Sequence, residues 1–134
     1  MTPLVYVIMP VGSDPNYPLR RARIEAAVEA RGMDAFFPLD HRPHSQPFDD
    51  ETIRAEVRRC DVAVADLTLG RPSCYYELGI AHGLGVPAVV MAESGTHIHQ
   101  LANRRSMFVY KTLDELESKL TRALRPYSEL VRHR

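Results

Sequence analysis

The sequence predicts an α/β protein: a flavodoxin-like, doubly wound sheet of five parallel strands in the order 2-1-3-4-5, with helices on both faces. Three observations carry this prediction. Short apolar runs alternate strictly with helical patterns along the chain, the signature of βαβ units around a mostly parallel sheet. The first run, Leu4 to Met9, is continuously apolar rather than alternating, as expected of a central strand covered on both sides. The length of 134 residues suits one domain, since a chain of that size buries roughly two-thirds of its unfolded surface and supports one core. Right-handed crossovers then leave few strand orders to choose from.

Each element has its own signal. After the first strand comes PVGSDPNYP, a loop dense in Pro, Gly, Asn and Asp, and then a helix from about Leu19 to Arg31 with Ile24, Ala27 and Val28 on one face. Gly32 is its natural stop. Ala35 to Leu39 reads as the second strand, and Asp40 to Phe48, with two prolines, as loop. The second helix spans about Asp50 to Arg59. Its Ile53, Val57 and Cys60 share a face, and Asp49, Asp50 and Glu51 lie at the end where the helix dipole favours acids. Asp61 to Leu67 is the third strand. The polar loop TLGRPS leads to a nearly all-apolar helix from about Tyr75 to Leu84, which Gly85 and Pro87 end. Ala88 to Met91 and Met107 to Tyr110 are the fourth and fifth strands, flanking a looser segment that holds His97 and His99. Leu113, Leu116, Leu120 and Leu124 mark a final helix that Pro126 stops, leaving 127–134 as a tail expected to fray. The whole of 1–134 is thus one domain.

Composition excludes several functions. There are 17 Lys and Arg against 17 Asp and Glu, a formal net charge of zero. Such a chain has no basic field for binding nucleic acid by counterion release or for lying on anionic lipid. The two cysteines, Cys60 and Cys74, fit neither a zinc ribbon nor a disulfide framework. The most apolar stretch, Gly79 to Ala92, is interrupted by His82 and Pro87 and is shorter than the roughly 20 residues of a membrane span. With no secretory leader at its start, the chain is expected to be a soluble cytoplasmic protein.

In a doubly wound sheet, ligands bind outside the carboxyl ends of the strands, beside the switch in strand order between strands one and three. The loops to read are therefore Pro10 to Tyr17, Asp40 to Phe48, Asp66 to Cys74 and the segment after Met91. Two acids stand out. Asp66 ends an otherwise apolar strand, and Glu77 sits in the expected first turn of the apolar helix, where free amides and the dipole would by themselves account for a carboxylate. Their convergence on one rim is what suggests chemistry, because paired carboxylates cleave glycosidic bonds through an oxocarbenium-like transition state. Asp61, at the other end of the strand, is expected to cap or pair at the opposite edge. His97 and His99 are candidates to line a pocket; as a metal pair they lack a third ligand. His82, five residues beyond Glu77, turns mostly away from it.

The segment ADLTLGRPSCYYELGIAHGLGVPAVV, from Ala65 to Val90, together with the opening VYVIMPVG, resembles the nucleoside 2-deoxyribosyltransferase-like superfamily. That superfamily includes 2'-deoxynucleoside 5'-phosphate N-hydrolases and CMP N-glycosidases and is distantly similar to TIR domains. The specific part is YELG, then a small apolar helix, then G-x-P and a hydrophobic strand. The resemblance implies that Glu77 is the nucleophile attacking C1' of a nucleoside sugar. It implies that Tyr6 on the first strand hydrogen-bonds and orients that Glu, and that Asp66 points into the site and contacts the sugar. Gly12 and Ser13 of the first loop and His41 after the second strand are the implied substrate-binding residues; Arg71, in the loop before the nucleophile helix, is by position the best cation for a phosphate, with the helix N-terminus assisting, and Ser73 is a substrate-binding candidate beside it. Two departures from the pattern stand out: the arginine expected in the first loop is absent, and the sugar-binding Asp of the second helix is matched by Ile53, with Asp50 or Glu51 as substitutes only for a shifted helix.

The expected activity is cleavage of the N-glycosidic bond of a small nucleoside or nucleotide through a covalent glycosyl-enzyme. It is hydrolysis if water accepts the sugar and transfer if a second base does. No metal or cofactor is expected. A TIR-like NAD hydrolase or effector module, and a non-catalytic nucleotide-binding domain, are the alternatives. A homo-oligomer, with a neighbour's residues closing the site, is expected by analogy.

Overall fold

The computed structural model describes residues 2–12, 14–42, 49–99 and 106–132. Its sheet consists of β1 (Leu4–Ile8), β2 (Asp34–Phe36), β3 (Val62–Asp66), β4 (Ala88–Glu93) and β5 (Phe108–Tyr110). They run in the order β2-β1-β3-β4-β5, and every pairing is parallel. The predicted α/β flavodoxin-like architecture is the one observed.

Strand alternation sorts the core into two layers. Val5, Val7, Met9, Val62 and Val64 turn to one face, where they meet Ile24, Ala27 and Val28 of α1 (Tyr17–Ala30) and Leu116 and Leu120 of α4 (Leu113–Ala123). Tyr6, Ile8, Ala63 and Ala65 turn to the other, against Ile53 and Val57 of α2 (Asp50–Arg58) and Leu78 and Ala81 of α3 (Pro72–Gly83). A parallel sheet covered on both sides needs this double burial, and the continuous apolar runs supply it. Helix ends follow local chemistry. Asp49 accepts from the Glu51 amide at the start of α2, and Thr112 from the Glu115 amide at the start of α4. Gly32, at φ 71°, and Gly85, at φ 74°, take the left-handed position just past α1 and α3. At the amino-terminal edge Asp61 accepts the Leu4 amide at 2.9 Å, as expected of it.

Proline accounts for three shifts from expectation. β2 ends at Phe36 rather than Leu39, because Pro38 has no amide for the ladder and instead opens a 3-10 turn, Pro38–His41. α3 starts at Pro72 rather than Tyr75, with proline in the first position, where its missing amide costs nothing. Pro126 stops α4 but also lies in the first turn of a fifth helix, α5 (Arg125–Arg132), where a frayed tail was expected. Among the described residues, no helix is long and apolar enough to cross a membrane, and no group of three or more His, Cys, Asp or Glu is placed to hold a metal ion.

Candidate active site

A cleft of about 320 Å³ opens at the carboxyl edge of the sheet, beside the switch in strand order, where sheets of this topology bind their ligands. Three segments build it. The end of β1 and the following loop contribute Val7, Met9, Pro10, Val11 and Gly12. The β2 exit and its 3-10 turn contribute Phe37, Pro38, Leu39 and Arg42. The start of α3 contributes Arg71, Ser73 and Glu77, and Tyr17 of α1 completes the lining. Val11 and Leu39 of the lining are exposed, and the lining combines such apolar residues with the charged Arg42, Arg71 and Glu77.

Because α3 begins at Pro72, Glu77 lies in its second turn, not its first, and the free first-turn amides do not explain a carboxylate there. The residue is nonetheless buried, at a relative exposure of 8%. Burial pushes its carboxyl from 4.5 up to about 7; the Arg42 guanidinium pulls it down and Glu56 pushes it further up. Both modifiers act through charge. Glu77 is thus a desolvated acid facing a cleft, the profile of a group held for chemistry rather than for helix capping. The neighbouring Cys74 is buried, with its thiol pushed up to about 12, so it stays a protonated thiol.

Tyr6 is fully buried, on the face of β1 that packs against α2 and α3, and its ring stacks on Phe36 at 5.9 Å. Burial first, and then the charge of Glu77, hold its phenol well above 10, with Arg42 opposing. Its hydroxyl makes no hydrogen bond of ordinary geometry among the described residues. Tyr6 therefore lies within electrostatic reach of Glu77 without the hydrogen bond expected between them.

Asp66 departs further from expectation. It belongs to the register of Val62 and Val64, which faces α1 and α4, so it points away from the side that α3 covers. It is fully buried and does not line the cleft. Oδ1 accepts from the Thr68 amide at 3.0 Å and the Thr68 hydroxyl at 2.5 Å, and Oδ2 from the Tyr110 hydroxyl at 2.7 Å. Burial raises its carboxyl, against the pull of these bonds. The Tyr110 hydroxyl in turn accepts from Arg20 Nη1 at 2.8 Å; Arg20 also donates to Asp14 at 3.1 Å and to Glu93 at 2.7 Å. Asp66 is one member of a buried network that ties the ends of β3, β4 and β5 to the loop after β1.

The implied binding residues separate into two groups. Gly12, Arg71 and Ser73 line the cleft, and Arg71 Nη2 donates to the Gly12 carbonyl at 3.2 Å, which ties the first loop to the start of α3. No side chain caps α3 at Arg71. His41 does not line the cleft; its ring lies flat on Phe36 at 4.5 Å. Ser13 lies outside the described residues. His97 and His99 sit 4.8 Å apart along a separate depression with Thr68 to Gly70, not with Glu77. His82 is exposed and away from the cleft. Ile53 is fully buried core, and Asp50 is taken up by Tyr76 and Arg54.

Two charged residues near Glu77 were not singled out by sequence. Arg42 lines the cleft and pairs with Glu56, with side chains 5% and 11% exposed. Arg42 sits in what reads as an unremarkable polar loop. Glu56 does leave a trace: it falls between Ile53 and Val57 on the buried stripe of α2, where a solvated acid does not belong.

Comparison with known proteins gives a likeness of structure. The fold is similar to that of the Clostridium botulinum CMP N-glycosidase, with TM-score 0.62 and 14% identity over 87% of this chain and 97% of the other. It is similar to a 2-deoxyribosyltransferase from Bacillus psychrosaccharolyticus, with TM-score 0.63 and 16% identity over 87% and 95%. A 2-desoxiribosyltransferase from Leishmania mexicana matches with TM-score 0.56 and 17% identity over 90% and 97%. No protein-family model matches the sequence, and no curated protein sequence matches it significantly. The resemblance carried by the residues around Glu77 is thus met in three dimensions, as a shared fold that spans nearly the whole of each of these enzymes.

Proposed function

We propose that this protein cleaves the N-glycosidic bond of a small nucleoside or nucleotide, with Glu77 as nucleophile. The observation that carries the reading is a buried, cleft-facing carboxylate at the carboxyl edge of the sheet, in a fold similar to that of a CMP N-glycosidase and of 2-deoxyribosyltransferases. Glu77 attacks C1' of the sugar; the new C–O bond forms as the C–N bond breaks, and the base departs with the bonding electrons. Water then displaces the carboxylate, giving free sugar and a proton to solvent, with net retention. A second base in place of water makes the reaction a transfer. The apolar lining at Met9, Val11, Phe37 and Leu39 suits the faces of a base. Arg71, Ser73 and the uncapped start of α3 suit a 5'-phosphate.

The test is incubation of purified protein with nucleosides, nucleoside and deoxynucleoside monophosphates and NAD, followed by chromatography for free base or nicotinamide. Base release from a nucleoside or monophosphate supports the reading; release of nicotinamide alone, or of nothing, overturns it. The pH profile adds a second check. Only the ionised carboxylate can attack, so kcat/KM falls as pH drops through Glu77's value, with an acid limb near 7 rather than near 4.5. A profile flat from pH 5 to 8 contradicts the nucleophile assignment. For the phosphate, Arg71→Ala raises KM for a 5'-monophosphate by about 10-fold to 100-fold, the loss of a charge-assisted hydrogen bond, and leaves the matching nucleoside little changed. Equal effects on both substrates would remove Arg71 from phosphate recognition.

A further inference from the structure

We propose that Arg42 is the shared counter-ion of two buried carboxylates, Glu56 and Glu77, and that its pairing with Glu56 sets how strongly it holds Glu77 in the attacking form. Arg42 is then a positioning residue for the nucleophile and Glu56 its governor; in that role the proposal rests on the nucleophile reading of Glu77. Two geometric observations stand behind this. Arg42 and Glu77 line the same cleft. The Arg42 side chain is 5% exposed and Nη2 is ion-paired to Glu56 Oε1, itself on the buried stripe of α2.

The groups acting on this spot come from every element around it. They are Tyr6 from β1, Arg42 from the end of the 3-10 turn, Glu56 from α2, and Cys74 from α3 itself. Tyr17 and Arg71 also line the cleft, Arg71 being directed to the Gly12 carbonyl. The Tyr6 phenol and Cys74 thiol are neutral at any working pH. Among the described residues, Arg42 is then the cation that acts on Glu77 and is ion-paired to Glu56, in a site largely withdrawn from water. Arg42 lowers the proton affinity of Glu77 and Glu56 raises it. Glu56 acts both as a like charge and by its ion pair with the cation that also acts on Glu77.

Removing either member of the pair therefore has opposite consequences at Glu77. Arg42→Gln removes the positive charge and leaves that of Glu56, so Glu77 holds its proton more tightly. Glu56→Gln, nearly isosteric, frees the field of Arg42, so Glu77 holds its proton less tightly. A purely structural pair behaves differently: both variants break the same ion pair and loosen the same wall, and Glu77 moves the same way in each or not at all.

The experiment is a carboxyl-carbon NMR titration of Glu77 in protein labelled at glutamate, with the resonance assigned by its loss in Glu77→Gln. The expected result is about a tenfold gain in proton affinity in Arg42→Gln and a several-fold loss in Glu56→Gln, with the acid limb of kcat/KM following each. Shifts in the same direction, or none in either, overturn the proposal. Where Arg42→Gln does not fold, the Glu56→Gln arm decides alone: a lower affinity supports the proposal, and an unchanged or higher one overturns it. The titration needs no turnover. Opposite shifts in a protein without glycosidase activity would leave the counter-ion assignment standing and remove the nucleophile role; active protein with parallel shifts would do the reverse.

Discussion

Glu77→Gln is expected to lower base release by about a thousandfold or more, and at pH 8 to unfold at a higher temperature than the wild type. The two effects have one origin. Burial in the wall of the cleft keeps Glu77 out of water, which raises its carboxyl from 4.5 to about 7. Between those values the folded protein holds a proton that the unfolded chain has released, so stability falls as pH rises through that window and the full cost is present above pH 7. An amide carries no such cost. The gain at pH 8 is on the order of 1–3 kcal/mol: the rise from 4.5 to about 7 sets an upper bound of about 3.4 kcal/mol at 1.36 kcal/mol per tenfold in proton affinity, reduced for relaxation of the site. Thermal unfolding of both proteins from pH 4 to pH 8 checks the sign: the difference grows between pH 5 and 7 and vanishes near pH 4. A variant that is inactive but no more stable at pH 8 than at pH 4 would show that Glu77 is already well solvated or well paired.

Arg20→Met is expected to destabilise the protein by about 3–5 kcal/mol, the cost of stranding a buried charge. The Arg20 side chain is 4% exposed and its partner Asp14 only 1%. Glu93, at 42%, can return to water when its partner is lost, but Asp14 cannot. The consequence reaches the cleft. Asp14 also accepts the Asn16 amide at 3.0 Å and so shapes the loop that carries Val11 and Gly12. Urea denaturation measures the loss. Adding Asp14→Asn to Arg20→Met recovers part of it, because the stranded charge is removed; a double variant as unstable as the sum of the two singles would show that the pair is not coupled. A loss below about 1 kcal/mol for Arg20→Met would assign this network the value of a surface pair.

Particular residues show what could be read from the chain and what could not. The runs LVYVI and VAVAD specify central strands because both faces of each are buried, and a continuous apolar pattern has no other stable use at that length. Glu77 was legible because it stands alone among apolar neighbours on α3. Asp66 was misplaced for a reason of parity: a side chain at a strand end belongs to one face or the other, and the residue count from Val62 sends it towards α1 and α4. His41 and Arg42 are adjacent in sequence, yet the 3-10 turn opened by Pro38 lays one on Phe36 and turns the other into the cleft. Pro72 moved the start of α3 and with it the position of Glu77 along the helix.

The sequence by itself determined the sheet, its strand order, the helix stops at glycine and the single acid of the third helix. These follow from local rules, namely hydrophobic period, backbone freedom and the handedness of crossovers, each readable within a short window. Only the tertiary structure decided which charges share a low-dielectric space. It joined Arg42 and Glu56, residues 14 positions apart on different elements, beside Glu77, and drew Asp66 into a network with Tyr110 and Arg20. Electrostatic energy depends on distance in space and on exclusion of water. No local pattern in the chain encodes either one.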